Sequence, residues 1–184
     1  FDLRIKLINF SENLGLSSAL NKGIAEISER YIFRIDADDE MLPNRIVNQL
    51  AMVDPLDKIG VYCGALWLNG SKLQKPAFTC NEQLGQLLCF SNPIAHPTVM
   101  FDQKYCTRVV YKDVKCEDYL LWCELFAYGV KFKATTTPLI NYYLSKKQKS
   151  VVEGGDIPLL AAEIASKYTK EANPRLVKVL SKVG

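Results

Sequence analysis

Polar and apolar side chains alternate from Arg4 to Asn9 before a short apolar run, the two-residue period of a strand. Ser11 offers a cap to the next segment, and Leu14, Ala19, Ile24 and Ile27 recur at spacings that predict a helix over residues 13–30. Tyr31 to Ile35 reads as a short β-rich strand running straight into Asp36-Ala37-Asp38-Asp39. Pro43 then opens a helix, where its missing N–H goes unused, and Leu42, Ile46, Leu50 and Val53 give that helix one apolar face. A strand at 59–68 is followed by a turn at Asn69-Gly70. Helices are expected from Glu82 to Phe90 and from Glu117 to Tyr128, the second ended by Gly129. Further strands are expected from Pro97 to Phe101, at 130–135 and at 138–144. Beyond Lys149 the composition shifts: Gly154-Gly155 reads as a hinge, and 157–182 as two amphipathic helical stretches broken at Asn173-Pro174.

Strand–helix alternation through the first 70 residues predicts an α/β fold with a parallel sheet, whose ligands gather at the carboxyl ends of strands. The acids at 36–39 stand at such an end. A chain of 184 residues, 48% hydrophobic, can bury a full core as one domain with a short appendage. A net charge of +3, with no basic block interleaved with aromatics, argues against a nucleic acid polymer as partner. Lys146, Lys147 and Lys149 read as a solvated loop. The six cysteines show no CxxC spacing and His96 is the only histidine, so the thiols read as mostly buried groups in a reducing cytosol rather than zinc ligands. No apolar run is long enough to span a bilayer, and no signal peptide is visible. Because the chain starts at Phe1, its natural N-terminus is expected upstream.

Asp36 and Asp38 are two residues apart, so an extended backbone would turn both carboxylates to one side. Such oxygens suit Mg²⁺ or Mn²⁺, which share their ligands with phosphates. The plainer reading is an acidic turn capping the next helix. Glu117 and Asp118 offer a second acidic group, a general base in one reading and first-turn charges favoured by the helix dipole in the other. His96 has no reactive Ser or Cys neighbourhood, which argues against a nucleophile–histidine pair.

Three segments together resemble a known family. Asn13-Leu-Gly15 through Ala19, Asn21, Gly23 and Ile24, then Tyr31 to Asp39, then Leu42-Pro43, are similar in order and spacing to the central signature of family-two glycosyltransferases. Glu117-Asp118-Tyr119-Leu120-Leu121-Trp122 is similar to the family's Glu-Asp-x-x-Leu-Trp segment, and His96-Pro97-Thr98-Val99-Met100-Phe101 to an element between the two. The resemblance implies a GT-A fold with a mostly parallel central sheet flanked by helices. It implies an inverting, metal-dependent transfer of a sugar from a nucleotide-sugar donor to a saccharide or lipid-linked saccharide acceptor, with Mn²⁺ or Mg²⁺ as cofactor. By the same match Asp118 is the catalytic base, Asp36 faces the donor ribose and Asp38 holds the metal. Asn13 and His96 contact the donor, and Asp39, Glu117 and Trp122 support the site. Asn13 reads equally as a helix cap. Family members commonly place such work in bacterial surface polysaccharide or lipopolysaccharide synthesis, in the cytoplasm at the inner face of the membrane.

The chain departs from the pattern in two ways. Leu20 stands where many members carry an Arg that helps hold the nucleotide. The opening Pro-x-Tyr-Asn and Asp-Asp-Gly-Ser motifs do not occur, so about 50 preceding residues, one more βαβ unit, are expected. The catalytic domain is then 1–149, short of its N-terminal unit, and 150–184 a helical extension that packs on the domain, pairs subunits or rests on a membrane surface. Two other readings stay open: a catalytically incomplete module of the same fold, with weak nucleotide binding, and an aspartyl phosphotransferase, for which no Thr/Ser and Lys arrangement is visible.

Overall fold

The computed structural model describes residues 2–144 and, beyond them, Glu163, Ser166 and Lys167. Apart from those three positions, the extension expected at 150–184, with its hinge, lies outside the described residues, as do Lys146, Lys147 and Lys149. The elements are α1 (Gly15–Ala25), β1 (Tyr31–Phe33), β2 (Glu40–Met41), α2 (Arg45–Leu50), β3 (Ile59–Leu68), β4 (Lys72–Gln74), α3 (Asn81–Leu87), a 3₁₀ turn (His96–Thr98), β5 (Met100–Asp102), α4 (Glu117–Ala127) and β6 (Lys131–Tyr142). They form a mixed α/β architecture, in line with the GT-A fold that the resemblance implies.

The sheet runs β1-β5-β3-β6-β2, with β4 hairpinned onto β3. The mostly parallel sheet expected from the sequence is corrected: among the described residues only the β3–β6 ladder is parallel, and β1–β5, β3–β5, β3–β4 and β2–β6 are antiparallel. One reason is local. The strand expected at residues 4–9 is absent, and Ile5 and Leu7 stand 67% and 78% exposed, so β1 pairs only with β5. The other is the Asn69-Gly70 turn. Both residues take positive φ, 49° and 66°, as a two-residue hairpin demands, and they fold β4 back on β3.

β3 is the central strand and is buried over its first eight residues, which explains its nearly continuous apolar run. Gly60 is a bulge: Ile59 pairs with Lys131 and Val61 with Phe132, so one β3 residue is extra. The bulge sends Ile59 to the α2 face with Tyr62 and Met100, and Val61 to the opposite face with Phe101, Trp122 and Phe132. A Cβ on Gly60 would come within 3.0 Å of both Cys106 Cβ and the Tyr105 carbonyl oxygen. The two strands expected at 130–135 and 138–144 are one strand, because register shifts between Thr135 and Ile140 take up Pro138 without ending the ladder. The strand expected from Pro97 begins only at Met100. Thr98 Oγ1 donates to the Ala95 carbonyl at 2.7 Å and winds His96–Thr98 into a 3₁₀ turn instead.

α2 overturns its expected apolar face. Arg45 and Gln49 are completely buried, whereas Ile46 and Leu50 are 42% and 39% exposed. The helix is oriented by hydrogen bonds: Arg45 Nε donates to Gln49 Oε1 at 2.9 Å, Arg45 Nη2 to the carbonyls of Arg34 (2.7 Å) and Val99 (3.2 Å), and Gln49 Nε2 to that of Thr98 (2.9 Å). Buried polar groups left unpaired cost more than two half-exposed aliphatics, so the polar pair takes the inside. α1, α3 and α4 cover the opposite face. There Trp122 stacks at 6.0 Å on Phe101 and meets Phe132 edge-on at 6.4 Å. All six cysteines are free thiols, four of them buried, as expected.

Candidate active site

β1 ends where Arg34 N donates to the Val99 carbonyl at 3.0 Å, and the chain then turns. The extended backbone expected through Asp36-Ala37-Asp38 is corrected to a turn, closed by Asp39 N donating to the Asp36 carbonyl at 3.2 Å. The turn gathers three acids rather than two: carboxylate oxygens of Asp36, Asp38 and Asp39 lie within 4.8 Å of one another. Asp38 is exposed and the other two are half-buried. β2 then pairs with the end of β6 and clamps the turn. Tyr143 N donates to Asp39 Oδ1 at 3.2 Å, and Asn141 Nδ2 to Glu40 Oε2 at 2.7 Å.

Arg34, to which no motif gives a role, organises this turn. It is 8% exposed, and its guanidinium grips both oxygens of Asp36, with Nη1 at 2.5 Å from Oδ2 and Nη2 against Oδ1. Its charge also acts on Asp39, His96, Tyr111 and Asp118. The signal for it is an arginine inside an apolar strand run, two residues before an acid.

Asp118 stands in the first turn of α4, after Cys116, which holds a left-handed φ of 58° and sets the direction in which the helix starts. Asn92 Nδ2 donates to Asp118 Oδ2 at 2.8 Å and Tyr119 N to Oδ1 at 2.7 Å. Burial raises the Asp118 pKa above the ordinary carboxylate value, with the Asn92 hydrogen bond opposing it and Glu117 adding to it. Desolvation thus outweighs the stabilising hydrogen bonds, the direction that makes a carboxylate more basic. Glu117 is half-buried beside it.

The other expected site residues fall in different places. His96 is buried: Nε2 is 2.7 Å from the Tyr111 hydroxyl, and its ring meets Trp122 edge-on at 5.7 Å. Burial, then Arg34, hold its pKa well below the ordinary imidazole value, so it is neutral. Trp122 packs beneath the site, completely buried. Asn13 Oδ1 accepts from Gly15 N at 3.0 Å, an Asx turn one residue ahead of Leu14, the N-cap of α1. Asn21 holds the Tyr111 backbone through both ends of its amide, at 2.7 and 2.8 Å, which fixes the hydroxyl facing His96. A Cβ at Gly23 would meet nothing within 4 Å.

Among the described residues the buried side-chain polar atoms without a hydrogen-bond partner are Arg34 Nε, Asp39 Oδ2, Arg45 Nη1 and Trp122 Nε1, each in or under this site. Asp39 Oδ2 is the telling one. Burial pushes its carboxyl up to about 6, with Tyr143 N pulling the other way and Asp36 and Asp38 adding to the rise. A hard cation shared with Asp38 would satisfy that oxygen, so the donor set fits Mg²⁺ or Mn²⁺.

Residues 1–100 match the family model described as glycosyl transferase family 2; Asp36–Asp39 and His96 fall inside the match and Asp118 beyond it. The chain is 28% identical over 160 residues to the O-antigen biosynthesis glycosyltransferase WbnJ of Escherichia coli, covering 82% of this chain and 62% of that protein. It is 27% identical over 133 residues to the amylovoran biosynthesis glycosyltransferase AmsE of Erwinia amylovora, covering 69% and 50%. It is 26% identical over 175 residues to an Escherichia coli UDP-Gal:alpha-D-GlcNAc-diphosphoundecaprenol beta-1,3-galactosyltransferase, covering 90% and 62%. The chain thus spans about half to three-fifths of the length of these relatives.

Proposed function

The chain belongs to glycosyl transferase family 2, and from that premise we propose that it carries the acid–base half of an inverting, metal-dependent sugar transfer from a nucleotide-sugar to an acceptor hydroxyl. The observation that carries the reading is Asp118: a half-buried carboxylate with a raised pKa, held by Asn92 and sharing Arg34 as neighbour with the acidic turn. In the reaction, Asp118 takes the acceptor hydroxyl proton as the oxygen attacks the anomeric carbon. The bond from that carbon to the diphosphate breaks on the far side, and the nucleoside diphosphate leaves.

Arg34 already engages both oxygens of Asp36, which leaves Asp36 to accept a hydroxyl of the donor ribose and Asp38 with Asp39 to hold a divalent ion. Bound there, Mn²⁺ or Mg²⁺ supplies charge neutralisation to the leaving diphosphate. His96, neutral and tied to Tyr111, acts through position rather than proton transfer. Work in surface polysaccharide assembly on a lipid-linked saccharide follows from the relatives' named activities. No helix among the described residues is long and apolar enough to cross a membrane.

The test uses the full-length protein with UDP-galactose and other nucleotide-sugars in Mn²⁺. Asp118→Asn is expected to keep donor binding and lose transfer by about 10²–10⁴-fold, the worth of a general base. Asp38→Ala is expected to lose metal-dependent donor binding with the fold intact. Donor binding that collapses in Asp118→Asn, or survives in Asp38→Ala, refutes the respective role.

A further inference from the structure

His96 is the one histidine of the chain, and its imidazole is held on two flanks. The Tyr111 ring lies 5.3 Å away at 39°, and Trp122 meets it edge-on at 5.7 Å. The 3₁₀ turn at His96–Thr98, with its proline, fixes the backbone that carries it. Tyr111 is held as firmly. Asn21 bonds both of its backbone groups, and Ser17 Oγ, one turn earlier on the same face of α1, donates to the next carbonyl, that of Lys112, at 2.9 Å. The Tyr111 hydroxyl, on a residue only 3% exposed, thereby stands 2.7 Å from His96 Nε2.

Proton placement decides which way this bond runs. Among the described residues His96 Nε2 is the one hydrogen-bond partner of the Tyr111 hydroxyl. If Nε2 carried the imidazole proton, the buried hydroxyl proton would be left without an acceptor, which costs the desolvation of that group. With the hydroxyl as donor, Nε2 is the bare nitrogen and the imidazole proton sits on Nδ1. Nδ1 makes no hydrogen bond among the described residues, yet it is not one of the wholly buried unpaired atoms, so it keeps contact with accessible space. One arrangement therefore serves both groups, and the other orphans a buried O–H. Arg34, whose guanidinium grips Asp36, is the charged group that acts on this imidazole. An oxygen that meets the Nδ1 proton does so in the field of a buried cation, which suits an anionic oxygen such as those of a diphosphate.

We propose that Tyr111 is a positioning residue that locks His96 in the Nδ1–H tautomer, making the open ring nitrogen a hydrogen-bond donor to a diphosphate oxygen of the bound nucleotide-sugar. The imidazole lone pair stays turned to Tyr111, so His96 cannot take the acceptor proton and that task is left to Asp118. The identity of the oxygen rests on the glycosyltransferase reading above; the tautomer rests on the Tyr111–His96 geometry alone.

The experiment labels the histidines of the full-length protein with a nitrogen isotope and reads the imidazole nitrogens by NMR, the His96 signals being those lost in His96→Asn. A pyrrole-type Nδ1 and a pyridine-type Nε2 are expected in the unsubstituted protein. Tyr111→Phe keeps the ring and removes the hydroxyl. Its His96 signals are expected to move toward the Nε2–H form that a free imidazole side chain prefers, and its KM for the nucleotide-sugar to rise about fivefold, the worth of one neutral hydrogen bond. His96→Asn keeps a short N–H donor but no ring nitrogen for Tyr111 to hold, so Tyr111→Phe added to it is expected to raise KM no further, whereas a tyrosine that only packs would act in both backgrounds. A proton on Nε2 in the unsubstituted protein, or an unmoved tautomer in Tyr111→Phe, overturns the lock. A fivefold rise that recurs in the His96→Asn background overturns the route through His96. The tautomer of the unsubstituted protein is read without any substitution, so it decides the matter even where Tyr111→Phe fails to fold. Absence of Mn²⁺-dependent nucleotide-sugar binding beside the expected tautomer sinks the underlying reading and not the lock.

Discussion

The hydrogen bond from Asn92 favours ionised Asp118, against the burial that raises the same pKa; Arg34 and Tyr119 N also favour the ionised form and Glu117 opposes it. Asn92→Ala removes one of the opposing influences, so the Asp118 pKa rises further. A base works only when deprotonated, and the acid limb of the transfer rate is therefore expected to move to higher pH in this variant. A pH–rate profile on the full-length protein checks it, and an unmoved limb separates Asn92 from Asp118. The linkage to stability has a definite sign as well. A carboxyl whose folded pKa is raised destabilises the fold as pH climbs from its unfolded value through its folded one, so the site is held at a cost in neutral solution. Asp36, Asp38 and Asp118 stand out as candidates in the sequence because each stands in a motif of local spacing. Asn92 and Tyr111 do not, because each takes its meaning from a partner distant in sequence, Asp118 for Asn92 and His96 for Tyr111, which no local motif displays.

At the scale of elements, β3, α4 and the Asn69-Gly70 turn can be read with little error, since each is decided by local rules: a buried apolar run, a helical pattern stopped by Gly129, two positive φ angles. α2 escapes such a reading because apolar spacing does not choose its buried face. That face is polar, and Arg45 directs its hydrogen bonds to the carbonyls of Arg34 and Val99, the two residues that join the end of β1 to β5. Burial brings its pKa down to about 10, aided by Arg34, and it stays charged at neutral pH. Arg45→Ala is expected to destabilise the protein by about 2–4 kcal/mol, the range for emptying a buried site and orphaning its partners. Arg45→Lys is expected to recover little, because one ammonium cannot reproduce the forked geometry. Urea unfolding of both variants checks this, and a lysine variant as stable as the unsubstituted protein would show that charge alone suffices. β6 reads as two strands for a related reason: Pro138 signals a break, yet the shifted register beside it keeps the ladder running.

For the whole molecule the β3–β6 ladder is the axis on which both faces are built, and Gly60 is the crowded point where backbone, not only a side chain, stands in the way. Alanine there meets Val130 Cγ1 at 2.7 Å and, less forgivingly, Cys106 Cβ and a backbone carbonyl at 3.0 Å. Gly60→Ala is expected to cost about 1–3 kcal/mol, as overpacking does, and to lower the thermal transition without changing the secondary-structure content seen by circular dichroism. An unchanged transition would mean that β3 yields at the bulge. The sheet's true pairing is not legible in the sequence because strand order depends on which distant segments meet, and β1, β5, β3 and β6 join in an order that the chain's own sequence of elements does not repeat.

That ladder also sets a timetable. Ile59 pairs with Lys131 across some 70 residues of chain, and Glu40 and Met41 wait for Asn141 and Ile140 across about 100, so these pairings carry a high loop-closure cost and form late. During synthesis Asp36, Asp38 and Asp39 leave the ribosome early, but the strand that clamps their turn, and the Tyr143 amide that meets Asp39, follow about 100 residues later. A nascent chain halted before residue 140 holds all three acids and lacks the brace that brings them together. The acidic turn is thereby braced by one of the later steps of folding, and on the proposed metal role cation affinity reports whether β2 has docked on β6.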